Sequence, residues 1–205
     1  MKLPKATAPD GASVATHFND RISLDYIIGL GGWQVLIILD DYSRFVRIVC
    51  LRHRDAESTL TAFREHWEAN YYLPRRQRHD NDGGFVDLDA FLSASGCQRE
   101  RIPPHTPELD DQNERSHGTL MDMFRSVMAH SGLPHTDPIR RYIIEHHVPN
   151  VYNNIVHSAT GEAPIARAFP GQIANLEAAT AYYPGRPVVF KPKPEALHVQ
   201  RGRPN

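Results

Sequence analysis

A long apolar run, WQVLIILDDYS at 33–43, constrains the fold of this chain more than any other feature. The run has no polar residue from Val35 to Leu39, a pattern typical of a strand that is covered on both faces of a sheet. RISLDYII at 21–28 precedes it across a glycine-rich turn, and RFVRIVCL at 44–51 follows it directly. Short turns between such runs predict three consecutive antiparallel strands.

After the third run, the spacing of the apolar residues becomes helical. Leu60, Phe63 and Trp67 fall at i, i+3 and i+7, which predicts an amphipathic helix over 56–71. The later predicted elements are a strand in RRQRHDN ending near Asp80, a helix in DLDAFLSAS stopped by Gly96, a strand in CQRERIP, a long helix from Gln112 or Asn113 to about His130, and a helix over 137–154. This order predicts a layered α/β domain.

The chain divides into three parts by composition. Residues 1–19 are rich in Pro, Ala, Thr and Asp and are interpreted as a flexible leader. Residues 20–171 hold the predicted elements and form the core domain. Residues 172–205 are a basic, proline-rich tail, in which RPVVFKPKP is either a single strand or the broken start of a C-terminal domain.

Charge and cysteine content narrow the class of protein. The formal net charge is −1, but basic residues gather at 74–79 and 186–205 while acids gather at 80–89 and 108–114. Only Cys50 and Cys97 are present, both in apolar runs, so neither a disulfide framework nor a cysteine-based zinc site is expected. We see no membrane-spanning run and no signal peptide, and we expect a soluble, intracellular protein with no membrane partner.

Three carboxylates stand out, although each has an ordinary explanation. Asp25 interrupts an apolar strand, where it is costly to bury unless a cation faces it, but a strand-edge acid paired with an arginine would look the same. Asp80 lies beside a glycine turn, where Asp is common. Glu114 lies about one turn into the long helix, where capping and helix-dipole roles are common.

Together the three acids indicate more than each does alone. If the ends of the two strands adjoin and the helix packs across them, three carboxylates from separate elements converge. Such a cluster is tolerable only around a cation, and oxygen ligands select Mg²⁺ or Mn²⁺. Two such ions can activate an attacking oxygen and stabilise a leaving one in phosphoryl transfer.

Five motifs in order resemble the integrase catalytic core of retroviruses and LTR retrotransposons of the copia and gypsy types, a D,D,E polynucleotidyl transferase family. They are SLDYI for the first acid, LIILDDYSRFVRIV for the next two strands, HDNDGGF for the second acid, PPHTPELDDQNERSHGTL for the third, and YNNIVHSATGEAPIARAFPG at 152–171. The resemblance covers about 21–171 and implies a ribonuclease H-like fold, with a five-stranded mixed sheet flanked by helices.

The resemblance also implies a function, namely DNA integration by a fragment of a transposon polyprotein. Metal-assisted hydrolysis would process the 3′ end of the element DNA, and the freed hydroxyl would then attack target DNA. Asp25 would bridge two ions, with Asp80 and Glu114 holding one each. Asp40 and Asp41, the other candidates for the first acid, are expected to be structural. Asp110 or Asp111 is expected to help cap the long helix.

The expected partners are the element ends and target DNA, bound by a homo-oligomer in the nucleus or in a transposon particle. The candidate DNA contacts are Arg75, Arg76, Arg78, Asn113, His117, Arg125, Lys191 and Lys193. Related integrases often place lysines one and two turns after the glutamate, where Gly118 and Met121 stand here.

This departure leaves a second hypothesis open, that the chain is a catalytically inactive transposon relic that binds nucleic acid or protein. A ribonuclease H that acts on hybrids ranks below both, because the DDYSR and NERSHGTL stretches do not favour it.

Overall fold

In this computed structural model, residues 14–100, 115–130, 136–172 and 174 are described in full, and 107–114, 181–183 and 186–188 by their backbone alone. The predicted mixed sheet is confirmed. Its strands are β1 (Arg21–Leu30), β2 (Trp33–Asp40), β3 (Val46–Leu51), β4 (Arg76–Arg78) and β5 (Gln98–Arg99). Their order across the sheet is β3-β2-β1-β4-β5. The first three are antiparallel as predicted, while β4 pairs in parallel with both β1 and β5.

Helices lie between β3 and β4, between β4 and β5, and after β5, as the sequence predicted. They are α1 (Ala56–Phe63), α2 (Ala69–Tyr71), α3 (Val86–Ala94), α4 (Pro107–His130), α5 (Asp137–Tyr142), α6 (Val148–Asn154) and α7 (Pro164–Ala168). A π-helical turn at Arg64–Glu68 joins α1 to α2, and a second at Ile143–His147 joins α5 to α6. None of the helices in the described part of the chain is long and apolar enough to cross a membrane.

The second π-helical turn ends two residues before Pro149, within the stretch 137–154 that was predicted as one helix. A proline ring clashes with the carbonyl four residues earlier and cannot donate to it, so a regular α-helix would kink there. Widening the preceding turn accommodates both effects, and the helical path is kept.

Each face of the sheet carries its own hydrophobic core. On one face, alternate residues of β2 and β3 pack against α4 and α6, through side chains such as Ile37, Ile48 and Leu120. On the other face, Leu24, Leu36 and their neighbours pack against α1 and α3. Because successive strand residues point to opposite faces, the continuous apolar run of β2 supplies both cores.

The N-terminal boundary predicted at residue 20 is wrong for residues 14–19. The Phe18 ring packs against Trp67 and Phe169, with centroids 5.9 and 4.9 Å away. The Asn19 side chain accepts a hydrogen bond from the Trp67 indole at 3.0 Å and donates one to the Tyr71 carbonyl at 2.7 Å. These residues therefore belong to the folded domain. Residues 1–13 lie outside the described part of the chain.

The long helix α4 begins earlier than predicted. It starts at Pro107, a residue that suits the first helical position because its missing N–H is not needed there. Asp110 and Asp111 consequently lie inside the helix and do not cap it, which corrects the prediction. The predicted end near His130 is confirmed.

The C-terminal segment contains a two-stranded antiparallel pair, β6 (Ala181–Tyr183) and β7 (Arg186–Val188). The prediction of a strand in RPVVFKPKP is confirmed at β7, and its partner β6 was missed. The prediction that this tail starts a further domain stays untested, because most of it lies outside the described residues.

Candidate active site at the carboxyl ends of β1 and β4

Asp25 lies in the central strand β1 and points to the face of the sheet that α4 covers. It pairs with Ile37 of β2, which belongs to the core under α4, whereas the neighbouring Leu24 belongs to the opposite core. Its side chain is 43% exposed. The carboxylate is therefore not desolvated in the core, and the high cost that the sequence suggested for an acid in this strand does not arise.

Asp80 follows β4 by two residues and is exposed. The parallel pairing of β1 with β4 ends at Ser23 opposite Arg78. Asp25 stands two residues beyond Ser23 in β1, and Asp80 stands two residues beyond Arg78, just outside β4, so both acids follow the same end of this ladder. Both acids therefore lie beyond the same end of the β1–β4 ladder, and their convergence on one metal site stays a prediction.

Helix α4 lies beside Asp25. The His117 Nε2 atom lies 3.6 Å from the Asp25 Oδ2 atom. Position 114 precedes His117 by three residues, and residues at this spacing share a helix face. The Glu114 side chain itself lies outside the described residues, so its convergence with the two aspartates stays a prediction.

No group of three or more His, Cys, Asp or Glu residues that could hold a metal occurs among the described residues. This finding does not reach Glu114. It does show that the described residues alone, Asp25 and Asp80 included, do not complete a metal site.

The turn after Asp80 is built around a glycine. A Cβ atom on Gly84 would stand 2.6 Å from the Tyr26 hydroxyl oxygen and 3.2 Å from Asp82 Oδ1. The Tyr26 ring cannot easily retreat, because it stacks on Phe85 at 4.6 Å and its hydroxyl is hydrogen-bonded to Thr59 at 2.6 Å. Burial raises the pKa of Tyr26 to about 12, so it stays neutral.

Asp82 has a structural role in this turn. Its side chain accepts a hydrogen bond from the Gly84 amide at 2.8 Å, which caps the 3-10 turn Gly83–Phe85. Its backbone amide donates to Asp80 Oδ1 at 3.1 Å, and its carboxylate pairs with Arg54 at 3.0 Å. Sequence reasoning missed both Arg54 and Tyr26, because their link to the turn is tertiary.

Ser23 and Arg78, the residues two positions before the acids, are tied together by a buried network that we call the strand clamp. The Arg78 guanidinium donates to the Ser23 hydroxyl at 2.9 Å and pairs with Asp41 at 3.3 Å. Asp41 also accepts from Ser23 at 2.6 Å and pairs with Arg21 at 2.6 Å. Burial of the Arg78 guanidinium disfavours its charged form and lowers the pKa of Arg78.

A second part of the strand clamp holds Arg76. Its guanidinium pairs with Asp20 at 2.8 Å and with Glu100 at 2.6 Å. Burial alone would raise the pKa of Asp20, but hydrogen bonds from Thr16 and Arg76 and the charge of Arg76 lower it to about 2. Arg76 and Arg78 are buried in these pairs and cannot reach a DNA phosphate, which corrects the prediction that they contact DNA.

Asp40 and Asp41 are structural, as expected. Asp40 Oδ1 accepts from the amide and the hydroxyl of Ser43 at 2.7 and 2.6 Å, and its Oδ2 atom accepts from the Asn19 amide at 2.8 Å. Burial raises the pKa of Asp40, although these hydrogen bonds oppose the rise. Asp41 serves the strand clamp.

The other predicted DNA contacts are scattered. The Arg75 side chain is 69% exposed but stands at the start of β4, at the opposite end of that strand from Asp80. The Arg125 side chain is 66% exposed on α4, near Asp122 at 3.6 Å. The side chains of Asn113, Lys191 and Lys193 lie outside the described residues. Among the described residues, His117 is the predicted DNA contact that lies beside a predicted catalytic acid, Asp25.

Comparisons with known proteins agree with this architecture, although no family model matches the chain. The Retrovirus-related Pol polyprotein from transposon RE2 of Arabidopsis thaliana is 28% identical over 103 residues, which is 49% of this chain and 7% of that protein. The Transposon Tf2-3 polyprotein of Schizosaccharomyces pombe is 26% identical over 167 residues, 77% of this chain and 12% of that protein. The chain therefore spans only a small part of these relatives.

Solved structures share the fold. The catalytic core domain of BIV integrase superposes with a TM-score of 0.56 and 13% identity, over 72% of this chain and 91% of that core. The HTLV-2 integrase catalytic core, in its trimeric form with magnesium, gives 0.55 and 13%, over 75% of this chain and 98% of that core. The chain is therefore similar in sequence to segments of retrotransposon polyproteins and shares the ribonuclease H-like fold of these integrase catalytic cores.

Proposed function

We propose that the chain is the catalytic-core segment of a retrotransposon polyprotein and acts in DNA integration, by metal-dependent 3′-end processing followed by strand transfer into target DNA. The observation that carries the proposal is the register of β1 and β4, whose ladder ends two residues before Asp25 and Asp80, together with the contact of His117 of α4 with Asp25. The relationship to transposon polyproteins and the integrase fold support it.

The donors at this end of the ladder suit a hard divalent cation. Asp25 and Asp80 offer carboxylate oxygens that are open to solvent, and Glu114 on α4 is the proposed third ligand. Mg²⁺ and Mn²⁺ prefer such oxygen ligands. Two such ions, when bound, would supply activation of the attacking oxygen and stabilisation of the leaving oxygen.

The protein's own contribution is to position charge before DNA arrives. The Tyr26 amide donates to Asp25 Oδ1 at 2.6 Å, and the Asp82 amide donates to Asp80 Oδ1 at 3.1 Å, so each carboxylate is oriented by backbone. The strand clamp fixes the two strands just before the acids. Because these carboxylates are already oriented, they need not reorient during the reaction, and this lowers the activation barrier.

An in-trans disintegration assay with Mn²⁺ tests the proposal. We expect cleavage by the wild-type chain and a loss of about 1000-fold or more in Asp25→Asn, Asp80→Asn and Glu114→Gln, since several kcal/mol of charge stabilisation would vanish. The matched control is Asp122→Asn, which removes an exposed carboxylate from the same helix and should leave the rate unchanged.

Two outcomes separate the competing hypotheses. Full activity in Asp25→Asn would show that the carboxylate edge is not the catalytic site. A wild-type chain that binds DNA but cleaves no substrate under these conditions would support the inactive relic. We further propose that the active form is a homo-oligomer that works on element ends and target DNA in the nucleus or in a transposon particle.

A further inference from the structure

A basic concavity lies at the same end of the sheet as the acids. β3 and β4 both run in the direction of β1, so their carboxyl ends share one edge. Directly after β3 stand three consecutive exposed basic residues, Arg52, His53 and Arg54. Together with Ile28 and Gln34 they line a concavity of about 320 Å³. Neither the sequence motifs nor the proposed catalytic mechanism gives these residues a role.

Arg52 is held in a geometry that suits anion binding. The centre of its guanidinium lies 4.4 Å from the centroid of the buried Trp33 ring. Stacking occupies the face of a guanidinium and leaves its in-plane N–H donors available, and these donors match phosphate oxygens as a fork. Among the described residues, no acid forms an ion pair with Arg52.

Arg54 connects this concavity to the acid edge. Its guanidinium pairs with Asp82 at 3.0 Å and lies 5.6 Å from the centroid of the Tyr26 ring. Asp82 in turn donates its amide to Asp80, and Tyr26 follows Asp25 in β1. Three strand spacings, roughly 14 Å, separate β3 from β4, and the ion pair between Arg54 and Asp82 bridges this span. The basic residues after β3 therefore adjoin the turn that carries Asp80.

We propose that Arg52, His53 and Arg54 form a phosphate-binding site that holds the DNA backbone beside the carboxylate edge. The ligand class is a nucleic-acid phosphodiester, which a guanidinium fork recognises without reading sequence. Acids clustered at the catalytic edge repel DNA, and an adjacent cationic site offsets this repulsion. The site rests on the proposed function, because it has a role only if the chain binds DNA.

The test measures the salt dependence of DNA binding by fluorescence anisotropy, in EDTA so that no chemistry contributes. We expect Arg52→Gln to reduce the slope of log affinity against log salt by about 1, and Arg52→Gln combined with Arg54→Gln by about 2, since each phosphate contact contributes about 0.9 on duplex DNA. Thermal unfolding of each variant checks that the fold is retained.

The matched control is Arg64→Gln, which removes an exposed arginine that does not line the concavity and should leave the slope unchanged. An unchanged slope in Arg52→Gln, an equal fall in Arg64→Gln, or no salt-dependent binding by the wild-type chain would each overturn the site.

The same measurement separates this site from the catalytic proposal. Asp25→Asn should keep the wild-type slope or steepen it, since only a carboxylate is lost. If the wild-type chain cleaves nothing but Arg52→Gln still lowers the slope, the phosphate site stands and the catalytic proposal fails. If cleavage depends on the three acids but Arg52→Gln leaves the slope unchanged, the catalytic proposal stands and the phosphate site fails.

Discussion

Gly84→Ala offers a sharp test of how the second-acid turn is built. The added Cβ atom would meet the Tyr26 hydroxyl oxygen at 2.6 Å and the Tyr26 Cζ atom at 3.2 Å. Overpacking of this kind destabilises proteins by about 1–3 kcal/mol. Gly83 is the matched control, because a Cβ there meets nothing within 4 Å. Gly83→Ala should be neutral, or stabilising by about 0.4–1 kcal/mol through the unfolded state.

A double-mutant cycle assigns the penalty to one contact. Tyr26→Phe removes the atom that the new methyl meets most closely and gives up the hydrogen bond to Thr59, at about 0.5–1.5 kcal/mol. In the double variant, Gly84→Ala should cost about 1 kcal/mol less than in the wild-type background, because contacting residues couple on this scale.

The assay is urea denaturation of the four proteins, followed by the disintegration rate of each. Because the turn carries Asp80, a shift near 1 Å should lower the rate about 100-fold in Gly84→Ala even where the protein remains folded. The reasoning is refuted if Gly84→Ala is as stable as Gly83→Ala, or if Tyr26→Phe leaves the penalty unchanged.

Three further outcomes follow from the buried charges and thiols. The pKa of Asp20 falls from 3.8 to about 2 on folding, so its stabilisation is full above pH 4 and is lost as pH falls towards 2; the free energy of unfolding should drop by about 2 kcal/mol over that window, and Asp20→Asn should abolish that component. Asp41→Ala leaves buried arginines in the strand clamp without their shared partner and should destabilise by about 3–5 kcal/mol in chemical denaturation, whereas Asp122→Ala, at an exposed site, should stay within about 0.5 kcal/mol. Burial raises the pKa of Cys50 to about 12 and that of Cys97 to about 11, so a thiol reagent at pH 8 should label neither until urea unfolds the chain; rapid labelling of the native protein would contradict this.

Local patterns made much of the fold predictable. Apolar runs separated by short turns predicted the β1–β2–β3 meander, and the helical spacing of Leu60, Phe63 and Trp67 predicted α1. These signals are local because side-chain periodicity follows directly from backbone geometry. The start of α4 was harder to predict, because the acids at 108–114 resembled a capping loop and were instead helical.

The basic run at 75–78 shows where local reasoning fails. In the sequence it resembles a phosphate-binding surface, yet Arg76 and Arg78 are buried against acids from distant segments, 24 to 56 residues away along the chain. Residues 14–19 show the same limit, since Phe18 finds its aromatic partners only in the folded chain. Composition alone cannot distinguish an exposed cation from a buried and paired one.

The sequence by itself determined the order of the strands and helices, the position of Asp25 in a central strand, and the glycine turn after Asp80, because each depends on neighbouring residues. Only the tertiary structure decided that the β1–β4 ladder ends two residues before Asp25 and Asp80, that Asp41 supports the strands just before these acids, and that Arg54 contacts the turn after Asp80. The reason is physical: strand register and ion pairing join residues that are far apart along the chain, and their geometry exists only once the sheet has formed.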